Sequence, residues 1–182
     1  MVKHFETSQW VPYPVELVFA FFANPHNLPP LMPPEVEARI EDMRITPPPP
    51  RPVPADPSRR FQSLAAGAGS ELLISFKPAK FLPRVSWTAH IEEFEWNSHF
   101  LDEMIRGPFK TFRHRHGIAP EVRNREAGTC VTDSIDFELP GGIVGVLAAR
   151  KVWNQLQQSF AFRQKRLPEI LAIAARQATR SQ

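Results

Sequence analysis

Two stretches of the sequence decide the fold: Arg106-Gly-Pro-Phe-Lys-Thr-Phe-Arg-His-Arg-His-Gly-Ile118 and Thr129-Cys-Val-Thr-Asp-Ser-Ile-Asp-Phe-Glu-Leu-Pro140. In both, polar and apolar side chains alternate with a period of two, which is typical of a half-buried strand. The inward faces that this period predicts are Phe112, His114, His116 and Ile118 in the first stretch, and Val131, Asp133, Ile135, Phe137 and Leu139 in the second. Pairing of the two strands would therefore set two imidazoles and one carboxylate among apolar side chains.

The turn signals between these strands lie in residues 120–128. A connection centred near Arg123 and Asn124 predicts that His114 lies opposite Asp133, and His116 opposite Val131. Polar groups on a buried face must find hydrogen-bond partners, because otherwise their desolvation is costly. The pattern therefore predicts either a cavity lined by these groups or a small buried hydrogen-bonded network.

Composition limits the class of protein. A chain of 182 residues, with 42% hydrophobic and 23% charged residues, is long enough for one globular domain with a sizeable core. The net charge is only +3 and the basic residues are spread along the chain, so no nucleic-acid partner is predicted. No apolar run is long enough to span a bilayer, so stable membrane insertion is not expected.

The compartment is predicted from two features. Cys130 is the single cysteine, which excludes an internal disulfide and fits a reducing environment. The first residues, Met-Val-Lys-His-Phe-Glu, lack the apolar core of a secretory signal. A cytoplasmic location is therefore expected.

The remaining elements follow in a simple order. Proline at the start of a helix, period-3.6 stripes and turn residues predict their bounds. We expect a strand at 3–11, short helices at 15–23 and 27–31, strands at 36–46, 71–77, 85–95 and 100–106, and a long helix over about 152–174. Pro168 should kink this last helix or begin a new one.

This order predicts an α+β helix-grip fold. A curved antiparallel sheet of about seven strands cannot bury one of its faces alone, and the C-terminal helix is the sole large amphipathic element. The sheet is therefore expected to wrap around this helix, with two short helices after the first strand. Such an arrangement leaves a space between sheet and helix unless large side chains fill it.

The domain is expected to span residues 1–176, with a proline-rich loop insertion at 47–60 and a frayed tail at 177–182. A run of prolines cannot join a sheet ladder and favours an extended path. The loop is predicted to be a solvent-exposed spacer. The alternatives are a lid over a cavity mouth or a docking site through which a proline-binding protein partner attaches.

Several motifs resemble a known family. They are the segment from Trp10-Val11-Pro12 to Leu28, the Gly107-Pro108-Phe109 turn, the His114-x-His116 pair, Thr129 with Asp133, and Leu139-Pro140-Gly141-Gly142. Together they are similar to the SRPBCC (START/Bet v 1-like) superfamily, and most of all to its bacterial cyclase/dehydrase-like or ligand-binding branch. The resemblance implies a hydrophobic ligand, such as a lipid or a polyketide-like compound. No cofactor is predicted.

The candidate catalytic residues are His114, His116 and Asp133. An imidazole oriented by a carboxylate is a common general acid or base. The competing interpretation is that Asp133 satisfies a buried histidine and fixes its tautomer, and it is favoured because the sequence places no nucleophile or second acid. The sequence supports a metal ion bound by these three residues, with Glu103 nearby, even less, because no fourth ligand is fixed. No metal is therefore predicted.

The predicted ligand-binding residues are mostly aromatic. At their spacings most aromatic side chains belong to a core, and a subset is expected to line the cavity. The predicted set is Trp87, Phe94, Arg106, Phe109, Phe112, Phe137, Trp153 and Phe160. Arg106 is interpreted as a solvated strand end that alternatively pairs with a ligand carboxylate, and Arg163 to Arg166 as a solvated helix face.

Three functions remain open from the sequence. The first is binding of a hydrophobic small molecule or lipid between sheet and helix. The second is a polyketide cyclase or dehydratase in the same cavity, using a His–Asp acid/base pair. The third is a non-catalytic interaction module that docks through the proline-rich loop, with the cavity filled by side chains.

Overall fold

The computed structural model describes residues 1–56, 59, 61, 63–78, 81–141 and 143–180, without the side chains of 143–147 and 178–180. The strands are β1 Lys3–Val11, β2 Arg39–Arg44, β3 Glu71–Phe76, β4 Val85–Glu95, β5 His99–Arg106, β6 Thr111–Arg123 and β7 Glu126–Glu138. The α-helices are α1 Val15–Phe22, α2 Leu28–Leu31 and α3 Ile143–Arg180, and short 3-10 turns precede α2 and β2. The predicted order of elements is confirmed.

The strands of the described residues form one antiparallel sheet in the order β1-β7-β6-β5-β4-β3-β2. Each neighbour along the chain is also a neighbour in the sheet, except that β1 crosses over to pair with β7. The long helix α3 lies against the sheet and the two short helices follow β1. The α+β helix-grip prediction is therefore confirmed.

The β6–β7 hairpin corrects the predicted register. His116, and not His114, lies opposite Asp133, while His114 pairs with Ile135. The reason is the turn, which consists of Asn124 and Arg125, both with positive φ (51° and 67°), as a two-residue type I′ turn requires. The centre of the hairpin therefore lies one residue later than predicted. Each pairing moves by two residues, so the inward face stays the same.

Pro120 and Gly128, expected in the connection, lie inside the strands. Pro120 pairs with Thr129, beyond Gly117, the last residue of β6 that pairs with β5. No strand pairs with β6 on its β5 side at Pro120, so the N–H that proline lacks is not needed for a ladder hydrogen bond there. Gly128 is required by close packing, since a Cβ there would come within 2.5 Å of Trp10 Cζ2 and still nearer to the Val11 carbonyl oxygen.

Helix α3 is anchored to the domain at two places. Toward its C-terminal end, Leu167 and Leu171 pack in a core with Phe19 of α1. Nearer its start, Phe160 packs with Phe5 and the other buried aromatics of β1, β6 and β7. The sheet surface between and beside these two contacts is the floor of a cavity.

Pro168 does not begin a new helix, because α3 continues from Ile143 to Arg180. The predicted frayed tail at 177–182 is helical as far as Arg180, and residues 181 and 182 lie outside the described part of the chain. Gly142, one of the residues that carried the family resemblance, also lies outside it.

The proline-rich segment is in contact with the domain. The Trp96 indole N–H donates to the Pro49 carbonyl oxygen at 2.7 Å, and the Arg51 guanidinium lies 4.3 Å from the Trp96 ring centroid. Pro48 packs so tightly on Gly67 that a Cβ at Gly67 would lie 2.6 Å from Pro48 Cα. Residues 57, 58 and 60 of the predicted insertion lie outside the described residues. A protein partner bound at this segment stays a prediction.

Candidate functional site

A cavity of about 680 Å³ lies between the sheet and α3, and α2 contributes to its wall. Its walls are mostly apolar. The apolar side chains that line it include Leu28, Leu31, Leu72, Ile74, Trp87, Phe109, Phe112, Ile135, Val152, Leu156 and Phe160. These side chains come from the sheet, α2 and α3. The cavity therefore lies between the sheet and the helices, beside the two cores that anchor α3.

Four of the eight predicted ligand-binding residues line this cavity, namely Trp87, Phe109, Phe112 and Phe160. Three of them are in mutual contact, with ring centroids 5.0 Å apart for Phe109 and Phe112 and 5.4 Å apart for Trp87 and Phe112. They form a continuous aromatic wall on the sheet side.

The other four predicted residues lie elsewhere. Phe137 is fully buried in the core beneath α3, and Trp153 packs edge-on against Phe5 in the same core. Phe94 packs edge-on against Phe19 near α1. Arg106 is exposed at the end of β5.

His114, His116 and Asp133 come together as predicted, and the two histidines line the cavity while Asp133 of β7 lies behind them. His114 Nε2 lies at hydrogen-bond distance, 2.9 Å, from Asp133 Oδ1. His116 Nδ1 lies 2.9 Å from the same oxygen but outside hydrogen-bond geometry. The two imidazole centroids are 3.8 Å apart, and the His116 ring stacks on Phe100 at 4.2 Å. The two rings therefore share one carboxylate oxygen.

Asp102 is a member of this site that the sequence analysis missed. Its Oδ1 lies 3.3 Å from His116 Nε2 and 3.9 Å from His114 Nδ1. The two imidazoles therefore bridge two carboxylates. The signal that was available is the alternation in β5, which places Asp102 on the same face as buried Phe100. Glu103, which was considered instead, is the next residue and lies in the opposite phase.

Arg163 was interpreted as part of a solvated helix face, and this is wrong. Its Nη1 donates to Asp133 Oδ1 at 3.1 Å, and Nη2 lies 2.8 Å from Oδ2. The guanidinium also lies over the Phe22 ring, 4.6 Å from the centroid. The available signal is the helical spacing, because Arg163 lies three residues after Phe160 and four before Leu167, in the buried stripe of α3. Arg166, by contrast, is exposed.

The charges of this polar cluster (Asp102, His114, His116, Asp133 and Arg163) act on one another. Burial favours a neutral Asp133, but the Arg163 guanidinium and the two imidazoles outweigh it and hold the pKa of Asp133 well below its usual range. Burial and the neighbouring His116 lower the pKa of His114. Burial also acts against a charged His116, but its contacts with Asp102 and Asp133 raise its pKa. His116 therefore keeps its proton to a higher pH than His114.

The polar cluster offers two kinds of chemistry. A carboxylate that orients an imidazole is an acid/base arrangement, and His114 with Asp133 has it. Asp102, His114 and His116 also offer three donor atoms within 4.8 Å of one another, in a part of the chain where all side chains are described.

Among the described residues, no helix combines the length and the apolarity that crossing a bilayer requires.

Solved structures similar to this chain share its fold. Ara h 8.0201 matches with a TM-score of 0.54 and 13% identity, over 91% of this chain and 97% of that one. TTHA0849 from Thermus thermophilus matches with a TM-score of 0.58 and 17% identity, over 94% and 99%. A norcoclaurine synthase point mutant from Thalictrum flavum, in complex with a transition state analogue, matches with a TM-score of 0.59 and 12% identity, over 94% and 95%. At these identities the likeness shows the Bet v 1-like fold alone.

No curated protein matches the sequence significantly. The profile of one family, described as polyketide cyclase / dehydrase and lipid transport, matches residues 11–161. This match covers strands β2 to β7, the short helices and the first half of α3, and with them every residue of the polar cluster except Arg163. The chain belongs to the polyketide cyclase / dehydrase and lipid transport family.

Proposed function

We propose that the protein binds a hydrophobic small molecule, a lipid or a polyketide-like compound, in the cavity between the sheet and α3. The observation that carries the proposal is the cavity of about 680 Å³ with its mostly apolar walls. Ligand pockets typically have volumes of roughly 300–1,000 Å³, apolar walls and a few fixed polar groups. The family description, which names lipid transport and polyketide chemistry, supports the same class of ligand.

The polar cluster supports a ligand that carries at least one polar group. Asp102, His114, His116 and Arg163 all line the cavity, while the aromatic wall covers another part of it. The Arg163 charge is already paired with Asp133, so the cluster does not offer an unpaired cation to a fatty-acid carboxylate. A ligand with a carbonyl or hydroxyl group at one end of an apolar body fits this distribution better.

The single cysteine, which cannot form an internal disulfide and fits a reducing environment, supports a cytoplasmic setting for such binding.

The test is native mass spectrometry of the purified protein, organic extraction of what co-purifies, and titration with a hydrophobic fluorescent probe. Leu156 lines the cavity from α3, so Leu156→Trp should fill part of it and reduce probe uptake. Gln157, the next residue, is exposed, and Gln157→Trp is the matched control that should bind the probe like the wild type.

A mass without any bound compound, together with no probe uptake by the folded wild-type protein, would contradict the proposal. Equal probe binding by the Leu156→Trp and Gln157→Trp proteins would show that the probe lies outside this cavity.

A second candidate is catalysis in the same cavity, as a cyclase or dehydratase. It is favoured by one observation, the orientation of His114 by Asp133 through a 2.9 Å contact beside the cavity. An imidazole held in this way can remove a proton next to a carbonyl group. With the extracted compound or its precursor as substrate, His114→Gln should abolish turnover and leave probe uptake unchanged. Turnover that survives in this variant would rule the imidazole out.

A further inference from the structure

Three donor atoms of the polar cluster converge beside the cavity. Asp102 Oδ1 lies 3.3 Å from His116 Nε2 and 3.9 Å from His114 Nδ1. The three residues can each offer one donor atom such that these atoms lie within 4.8 Å of one another. They belong to adjacent strands, since Asp102 of β5 pairs directly with His114 of β6. The backbone ladder therefore fixes their spacing.

This spacing is close to that of a transition-metal site. Zinc binds imidazole nitrogen and carboxylate oxygen at about 2.0–2.2 Å, which places the donors of a tetrahedral ion roughly 3.3–3.6 Å apart. Of the two distances to Asp102 Oδ1, 3.3 Å lies at the lower limit of this range and 3.9 Å lies somewhat above it. Side-chain rotation is the adjustment that would bring the three donor atoms to one ion.

The ring nitrogens of His114 and His116 that face away from Asp102 have the kind of partner that is common in metal sites. A histidine that binds a metal through one ring nitrogen usually directs the other to a carboxylate, which fixes its tautomer and its orientation. Here His114 Nε2 and His116 Nδ1 both lie 2.9 Å from Asp133 Oδ1, and Arg163 holds this carboxylate in place. His116 Nδ1 has no hydrogen-bond partner among the described residues. A modest rotation of this ring toward Asp133 would give it one.

We propose that Asp102, His114 and His116 bind a divalent transition-metal ion, with Asp133 as the positioning residue behind both imidazoles. Two imidazoles and one carboxylate suit zinc or ferrous iron. The sequence analysis predicted no metal, and it considered Asp133 and Glu103 as companions of the histidines. The structure instead supplies Asp102 as the third donor.

Three protein ligands leave at least one coordination position free, and all three residues line the cavity. A bound ion would therefore present this position to whatever occupies the cavity. If the proposed function holds, on which this step rests, the ligand class narrows to an apolar molecule whose polar group is an oxygen donor to the ion, such as a carbonyl or enolate oxygen.

The test is titration of the full chain, freed of metal with a chelator, with Co²⁺, followed by visible absorption and by calorimetry. We expect one ion per chain, visible bands typical of low coordination number, and displacement of Co²⁺ by Zn²⁺. Asp102→Asn should abolish the bands. Asp133→Asn, which removes the charge of the positioning carboxylate and leaves the three proposed ligands in place, should weaken binding by about 10–100-fold. Glu103→Gln, one residue along the same strand, is the matched control and should bind like the wild type.

Circular dichroism and melting curves show whether each variant is folded, and a folded Asp102→Asn protein decides the outcome even if Asp133→Asn does not fold. A folded wild-type protein that shows no bands at millimolar Co²⁺ would overturn the proposal. Undiminished bands in Asp102→Asn would overturn it too, and loss of the bands in His4→Ala would assign them to the exposed His4, Glu6 and Asp136 instead. Uptake of the hydrophobic probe by the metal-free protein is measured separately, so failure of the metal site and failure of the cavity proposal are distinguishable.

Discussion

At the scale of single residues, the ion pair between Arg163 and Asp133 holds two opposite charges in a buried part of the polar cluster. The side chains are only 12% and 5% exposed. Removal of one partner from a buried pair leaves the other charge uncompensated, and this typically costs about 3–5 kcal/mol. We therefore expect Arg163→Ala to lower the free energy of unfolding, measured by urea denaturation, by an amount in this range.

Arg166→Ala is the control for this prediction. Arg166 lies three residues later on α3 and pairs with Glu169, but both side chains are at least half exposed. Exposed pairs contribute about 0–1 kcal/mol, so this variant should be nearly as stable as the wild type. Equal losses in the two variants would mean that the Arg163 pair is solvated in solution.

The residue scale also shows how far the sequence could predict the site. His114, His116 and Asp133 were placed on one face correctly, because a face depends only on whether the spacing is odd or even. Their register was wrong by two residues, because Arg125 occupies a positive-φ position where glycine is the usual signal. The alternation in β5 indicated the inward face of Asp102, but its position beside His114 depends on the register between β5 and β6, which no local pattern encodes.

At the scale of elements, the contact between β1 and β7 depends on the absence of a side chain at Gly128. A Cβ there would come within 2.5 Å of Trp10 Cζ2 and also clash with the backbone of Val11, which cannot rotate away. Overpacking typically costs about 1–3 kcal/mol. We expect Gly128→Ala to lower the melting temperature and the free energy of unfolding accordingly.

Gly117→Ala tests whether the effect comes from this contact or from any alanine in the hairpin. Gly117 lies on β6, and the atom nearest to its added Cβ would be Thr132 Cβ at 3.6 Å, an ordinary contact. This variant should keep the wild-type melting temperature or exceed it slightly, since alanine restricts the unfolded chain. Similar destabilisation by both substitutions would argue against a specific clash at Gly128.

The elements themselves were largely predictable. Alternation along β6 and β7 and the helical stripe of α3 are long, strong patterns, and both are present in the structure. The uninterrupted course of α3 past Pro168 was not predictable in the same way. Proline removes one backbone hydrogen bond, and packing of neighbouring Leu167 and Leu171 in the core compensates for this loss.

At the scale of the whole molecule, stability should depend on the attachment of α3 to the sheet. Leu171 is fully buried in the core shared with α1 and β6, and it anchors the second half of the helix. Truncation of a buried leucine to alanine typically costs about 2–5 kcal/mol. We expect Leu171→Ala to lower the free energy of unfolding by this amount, as measured by denaturant titration.

Ile173→Ala is the matched truncation. Ile173 lies on the same turn of the helix and is 47% exposed, so its loss should change the free energy of unfolding by less than about 0.5 kcal/mol. A loss for Leu171→Ala that is no larger than that for Ile173→Ala would show that the second half of α3 does not stabilise the fold.

At this scale, the lining of the cavity is the feature that could not be predicted from the sequence. The sequence indicated which aromatic residues face the space between sheet and helix, but Phe137 and Trp153 close the core whereas Trp87 and Phe112 border the opening. This partition depends on how far apart the two layers are held, which is a property of packing at both ends of α3. The separation between the sheet and α3 cannot be predicted from the spacing of residues along the chain.

The placement of the four tryptophans has a consequence for optical measurements. Trp87 borders the cavity, whereas Trp10 lies against Gly128, Trp96 beside Pro49 and Trp153 against Phe5. An occupant of the cavity would thus quench or shift the emission of one indole out of four, while the other three provide an internal reference. The molecule carries its own fluorophore for ligand binding, and no label is needed.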